Sequence, residues 1–295
     1  MAPTKKTILV TGGNSGLGFQ CCLALAKQPN THVILASRSK QRVDDAVAEI
    51  KTQVHATSEV EAGVIDLASL QSVRTFAQSL LDRKIELFSI VCNGGVQMSS
   101  KEMTADGFES TFGINHLGHF LLVLMLREHT RRVIMLGSET HDPAERTGLP
   151  HPNISDLDQL ARGYDNFDPL EAYGTSKLLN MTFAKEFARR YPAGPEILSY
   201  SPGLTLDTAL FRAHNAVVKL IAPPIIRLYT WFVGGRTSTS AYSGGWMARL
   251  ASEEPLPVPN NVYVRVDEVW EPSALTKDEK LGAELWTKSL KWVDL

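Results

Sequence analysis

A chain of 295 residues with 43% hydrophobic and 21% charged residues has the make-up of an ordinary folded protein, able to bury a sizeable core. Its 30 basic and 32 acidic residues leave a formal charge of −2, which excludes the basic surface a nucleic-acid binder needs to compete for phosphates. Two of the three cysteines, Cys21 and Cys22, are adjacent, and Cys92 sits in an apolar run, so no disulfide framework is visible and a reducing, cytoplasmic setting is expected.

The opening MAPTKKTILVTGG carries too short an apolar run for a signal peptide and passes directly into a strand pattern. TILVTG (7–12) reads as a buried strand and 16–27 as a helix. HVILAS (32–37) is the second strand, followed by a polar helical pattern over 40–52. VEAGVIDL (60–67), a helix over 70–81, LFSIVCNGG (87–95) and a helix over 107–127 continue the alternation. RVIMLGS (132–138) is a fifth strand, 171–190 a helix, and EILSYSPG (196–203) a sixth strand. A helix near 238–250, a seventh strand NVYVRV (261–266) and a helical tail over 276–292 complete the chain. This alternation predicts an α/β fold: a Rossmann-type, doubly wound parallel sheet of about seven strands with helices on both faces. No linker divides the chain, so a single dinucleotide-binding domain over 1–295 is expected.

The most apolar late stretch, 217–233, is interrupted by Lys219, Arg227 and the pair Pro223–Pro224. A span needs about twenty uninterrupted apolar residues, so no transmembrane segment is predicted, although peripheral contact with a membrane stays open.

VTGGNSGLG (10–18) joins the first strand to the first helix. Gly12 and Gly13 permit a tight turn, Gly16 a close backbone approach to a ligand, and Gly18 close packing of helix on strand. The helix start, with Asn14, Ser15 and Leu17, then offers unpaired N–H groups and a positive dipole end to a pyrophosphate. The end of the second strand should meet the adenosine ribose. An NAD enzyme usually holds the 2′-hydroxyl there with a carboxylate. Here Ser37 and Arg38 stand instead, and a guanidinium suits a 2′-phosphate, so NADP(H) is the expected cofactor. Asp66, with Leu67 beside it, could accept a hydrogen bond from the adenine amino group or simply close a turn.

TGGNSGLG, VCNGGV, NHLGHF, GSETHDPA, YGTSK and SPG occur in this order. With them the chain resembles the short-chain dehydrogenase/reductase family over about residues 6–205, and most of all its branch of retinol dehydrogenases and protochlorophyllide reductases. The resemblance implies Tyr173 as general acid/base, Lys177 as its partner, Ser138 as the hydroxyl that orients substrate, and Asn115 as fourth member, holding a water that links Lys177 to solvent. It further implies cofactor contacts from Asn93, Gly94, Pro202 and Gly203, as well as from Tyr173 and Lys177. Cys92 and Gly94 depart from the family's Asn-Asn-Ala-Gly, and Asp207 stands near the place of its usual threonine. Family members often dimerise through the two long helices after strands four and five, so a homodimer or homotetramer is expected. Segment 204–234 would form a substrate lid whose aromatic and aliphatic side chains favour a hydrophobic small molecule, or those side chains would pack a core or an oligomer interface.

The chemistry explains the spacing of Tyr173 and Lys177. Reducing a carbonyl needs a proton on oxygen, and a free phenol, with a pKa of about 10, gives up and regains its proton reluctantly. An ammonium one helical turn away should lower that value. The expected activity is NADPH-dependent reduction of a ketone or aldehyde. Reduction of an activated C=C bond, or a non-catalytic NADP(H)-binding sensor or scaffold, are the alternatives. His116 and His119 form an H-x-x-H pair, but a third ligand is not indicated and no metal is expected. His141 could line the pocket or simply sit in a loop, and Gln97 and Met98 are candidate pocket residues.

Overall fold

Apolar β-branched runs and amphipathic runs resolve into alternating strands and helices in the computed structural model, which describes residues 5–145, 147–205, 207 and 236–295. Strands β1 (Lys6–Thr11), β2 (Thr31–Ser37), β3 (Glu59–Val64), β4 (Ser89–Cys92), β5 (Arg132–Leu136) and β6 (Glu196–Ser201) pair in parallel. β9 (Tyr263–Arg265) joins β6 in parallel and β10 (Glu268–Trp270) turns back antiparallel on β9. The order β10-β9-β6-β5-β4-β1-β2-β3 makes an eight-stranded sheet, one strand more than the seven expected. The extra strand is three residues long, with all three exposed, so neither period nor burial marks it in the sequence. A separate pair, β7 (Leu204–Thr205) and β8 (Thr237–Ser238), lies just past the end of β6.

Reversal of strand order between β1 and β4 opens a crevice at the carboxyl ends of these strands, the ligand position of doubly wound sheets. Helices α1 (Gly16–Ala26) and α2 (Lys40–Lys51) cover one face with α8 (Ser240–Ser252), and their apolar sides form one buried cluster with Val10, Leu35 and Val91. On the other face lie α3 (Leu70–Asp82), α4 (Ser110–Phe112), α5 (Gly118–Leu126), α6 (Leu157–Arg162), α7 (Pro169–Arg190) and the last helix, α9 (Glu279–Trp292). Asp168 caps α7 by accepting from the N–H groups of Leu170 and Glu171, with Pro169 at the first helical position.

Three local features depart from the sequence pattern. The helix expected over 107–127 is two short α-segments joined by a π-helical turn at Gly113–Leu117, which re-aims Asn115 and His116. The insertion after β5 contains α6, too short to show a period. The tail begins with a 3₁₀ turn, Ala274–Lys277, before α9.

Helix α9 fills the groove between α5 and α7. Trp286 stacks on Phe183 at 5.9 Å between ring centres and meets Phe120 edge-on at 5.4 Å. The Arg190 guanidinium lies over the same indole, 4.8 Å from its centre. All three cysteines are free and buried. Among the described residues no helix is long and apolar enough to cross a membrane; the stretch 217–233 lies outside them, as does nearly all of the expected lid.

Candidate active site

At the carboxyl end of β1 the backbone turns at Gly12, with φ +64°, and enters α1 through Ser15. A Cβ on Gly12 would lie 2.8 Å from Gly94 Cα, and one on Gly18 would lie 2.5 Å from the Gly12 carbonyl oxygen. Turn, strand end and helix start are therefore in backbone contact, which only glycine allows. Asn93 holds this arrangement from behind: its amide donates to the carbonyls of Thr11 at 2.8 Å and Gly12 at 3.3 Å. The first N–H groups of α1 receive no side-chain cap, and no acidic residue stands in its first turn. That combination favours an anion.

From this turn a cleft of ≈ 420 Å³ runs across the ends of β2 and β3. Gly12, Asn14, Ser15, Ser37, Arg38, Asp66, Leu67 and Gly94 line it, as expected from the sequence. Arg42, one turn into α2, lines it too and was not anticipated; its spacing of four from Arg38 was the available signal. Two acids of α2 are taken by neighbours, Asp44 by Lys40 and Asp45 by Gln41. Neither Arg38 nor Arg42 has a carboxylate partner among the described residues, and both are exposed.

Other expected contacts lie elsewhere. Leu17 packs into the core beneath the loop, so only its backbone can serve a ligand. Asp66 lines the cleft and accepts from the Ala68 N–H at 3.0 Å, closing its own turn. Pro202 and Gly203 end β6, where the Pro202 carbonyl accepts from the Ser243 hydroxyl. Gly203 has φ +70°, and a Cβ there would meet Arg236 O at 2.9 Å. Asp207 caps α8, accepting from the N–H of Ser240 at 3.0 Å and from its hydroxyl at 2.8 Å; its carboxylate is committed to that helix.

The catalytic candidates converge beyond Gly95, which lines the cleft. A Cβ there would lie 3.1 Å from Asn115 Oδ1 and 3.7 Å from Lys177 Nζ. Lys177 places its ammonium 5.4 Å from the centre of the Tyr173 ring and donates to the Leu136 carbonyl at 3.4 Å. Burial lowers its pKa to about 8. Burial likewise pushes the Tyr173 phenol up to about 12, and only a hydrogen bond with Ser138 opposes it. The pKa lowering expected from the Tyr–Lys spacing is therefore absent: burial, which raises the phenol and lowers the ammonium, dominates both groups.

Asn115 has every polar atom of its side chain engaged within the protein. Its Oδ1 accepts from the Val96 N–H at 2.7 Å, while its Nδ2 donates to the Val96 carbonyl at 2.9 Å and to Ser176 Oγ at 3.0 Å. Its side chain thus fixes the strand-four loop and α7 to each other, with the Ser176 hydroxyl donating on to the Tyr173 carbonyl. The Asn115 carbonyl accepts from His119 Nδ1 at 3.0 Å, and the far nitrogen of that ring meets Thr11 Oγ1 at 2.9 Å. His116 lies against Asn180 and Ser289. Burial lowers the pKa of both histidines to about 4, so each ring is neutral and held by hydrogen bonds. Among the described residues no group of three metal-binding side chains occurs.

Residues 6–140 match the family model described as short chain dehydrogenase. The WW domain-containing oxidoreductase of Danio rerio is 40% identical over 80% of this chain, which spans 58% of that protein's length. The protochlorophyllide reductase A of Oryza sativa subsp. japonica is 31% identical over 98% of this chain and 80% of its own. Among solved structures, an uncharacterised protein from Mycobacterium paratuberculosis superposes with a TM-score of 0.74 and 26% identity, over 99% of this chain and 94% of that one. The chain belongs to the short-chain dehydrogenase/reductase family of oxidoreductases, whose members bind a nicotinamide cofactor.

Proposed function

We propose that the protein is an NADPH-dependent reductase of a ketone or aldehyde on a hydrophobic small molecule, with Tyr173 as proton donor. The observation that carries this reading is the Tyr173–Lys177 pair beyond Gly95, at the inner end of a cleft whose outer end holds two guanidinium groups without carboxylate partners. The uncapped start of α1 suits a pyrophosphate, and Arg38 with Arg42 suits a 2′-phosphate in place of a hydroxyl.

When bound, the nicotinamide supplies the hydride. The protein's own residues handle the proton. With its pKa raised, Tyr173 is fully protonated at neutral pH and ready to act as an acid. The Ser138 hydroxyl, hydrogen-bonded to Tyr173, holds the substrate oxygen beside it. As the phenol gives up its proton, the buried ammonium of Lys177 stabilises the phenolate in a medium that screens charge poorly. Replacement of Tyr173 by Phe should reduce turnover about 10²–10⁴-fold and leave NADPH binding, followed by cofactor fluorescence, nearly unchanged. Full activity in Tyr173→Phe would overturn the reading.

The likeness to a protochlorophyllide reductase favours a second reading, reduction of an activated C=C bond with the same acid protonating carbon. A screen of aldehydes, ketones and enones, read by NADPH absorbance, separates the two. The reading treats the chain as one dinucleotide-binding domain acting in the cytoplasm, with 204–234 as its lid. Self-association into a homodimer or homotetramer would use a face other than the α5–α7 groove, which α9 fills.

A further inference from the structure

The turn after β5 carries Ser138 and is gripped from two directions. Glu139 and Glu145 accept from the buried Arg265 of β9, at 2.6 and 3.0 Å. The second grip is His141, only 2% exposed. Its Nδ1 lies 2.6 Å from the Ser138 carbonyl oxygen, and its Nε2 lies 3.1 Å from the backbone nitrogen of Ser273. A carbonyl can only accept and an amide N–H can only donate, so the ring must carry its proton on Nδ1 and a lone pair on Nε2. Both nitrogens are used in one orientation, in one tautomer.

We infer that His141 is a positioning residue for Ser138, a neutral strut that transmits the position of the C-terminal segment to the serine hydroxyl. The inference rests on the assignment of Ser138 to the reductase site proposed above. Its physical basis is geometric. The Ser138 carbonyl also accepts from the His141 backbone N–H at 3.2 Å, so the turn Ser138–His141 closes on itself, and the serine hydroxyl accepts from the Thr140 N–H at 3.3 Å. Removing the ring's donor would leave this short turn held by weak backbone bonds alone. The other end of the strut is firm: Ser273 is buried, and its hydroxyl and carbonyl cap the 3₁₀ turn that leads into α9.

Burial favours the neutral ring, against the Ser138 carbonyl and Asp142, which favour the cation. Tyr263 packs edge-on at 5.3 Å between ring centres, and the Arg265 cation repels a second positive charge, while Asp142 acts in the opposite sense. Burial is the largest influence and lowers the pKa of His141. A proton on Nε2 would confront the Ser273 N–H donor to donor.

Two half-variants separate the arms. Asparagine places an N–H donor where Nδ1 stands but cannot reach Ser273; glutamine can accept from Ser273 but presents nothing to the Ser138 carbonyl. His141→Leu and His141→Gln should lower kcat by about 10–100-fold with NADPH affinity retained, and His141→Asn, which keeps the Ser138 bond but loses Ser273, should recover kcat only in part. Circular dichroism and cofactor binding establish that each variant is folded. Native-like kcat in folded His141→Gln, or no recovery in folded His141→Asn, overturns the proposal. A readout free of turnover is nitrogen-15 NMR of the native ring, expected to show the Nδ1–H tautomer, neutral below the ordinary histidine range. An Nε2–H ring sinks the strut whatever the activity. A native protein without turnover but with the Nδ1–H ring sinks the reductase reading and leaves the strut intact.

Discussion

The two ends of the central sheet carry clefts of similar size, and they differ in what their charges are doing. At the amino ends of β1, β4 and β5 a cleft of ≈ 470 Å³ is lined by Lys5, Lys6, Glu86, Phe88, His129, Arg131 and Glu254. There Lys5 pairs with Glu59, Lys6 and Arg131 with Glu254, and His129 with Glu86. At the carboxyl ends the cleft of ≈ 420 Å³ holds Arg38 and Arg42 without carboxylate partners, next to an uncapped helix start. At the amino ends the charged groups are exposed and paired; at the carboxyl ends Arg38 and Arg42 are exposed without carboxylate partners, and Lys177 lies buried beyond them. Cleft volume therefore does not locate the site. Unspent donors do, because a cation already paired leaves little field for a ligand.

Acid should expose the contrast most strongly. His116 and His119 are held near a pKa of about 4, below the unfolded value, so they favour the folded state above pH 6.5 and lose that contribution as pH falls. By pH 5, still above the carboxylate range, the loss amounts to about 2 kcal/mol per ring. Chemical denaturation at pH 7, 6 and 5 measures it; a flat profile would mean that the rings titrate normally. Next in size, the double change Arg38→Ala and Arg42→Ala should weaken NADPH binding about 10–100-fold and leave NADH binding unaltered. Arg131→Ala at the opposite end is the control. If that change weakened NADPH binding as much, the distinction between spent and unspent charge would fail.

A comparable effect concerns stability at the site itself. Burying the Lys177 ammonium costs the folded state about 3 kcal/mol at pH 7, by the shift from 10.5 to about 8. Because the folded pKa is depressed, that cost is full below pH 8 and fades as pH rises to 10.5. Lys177→Met should accordingly melt higher than the native protein at pH 7, with the gap closing in alkali, while losing turnover. A lower melting temperature at pH 7 would show that the ammonium is better solvated than its surroundings suggest.

Much of this was legible in the sequence, and the reasons are local. β1, β2, β5 and β6 are largely runs of buried residues, Gly12 and Gly18 stand where only the backbone can pass, and Gly16 takes φ +55°. Arg38 was legible because an acid was missing from a place that usually has one. The rest depends on long-range geometry. Glycine and asparagine in GINHL weaken a helix, but nothing in that string specifies a π turn that sends Asn115 to Val96 and Ser176. Arg42 reads as one of several charges on a polar helix until the cleft is seen. His141 reads as a loop residue because its partner, Ser273, lies 132 positions away. The phenol's rise to about 12 reflects dehydration by the whole wall of the cleft, which no spacing of two residues reports.

The aromatic seam under Trp286 has a consequence for how the chain is made. Until residues 279–292 have left the ribosome, Phe120, Phe183 and Phe187 lack the indole that covers them, and a nascent chain released early would present three phenyl rings to its surroundings. A chaperone that recognises aromatic surface would find its binding window there, closing only once residues 279–292 have emerged.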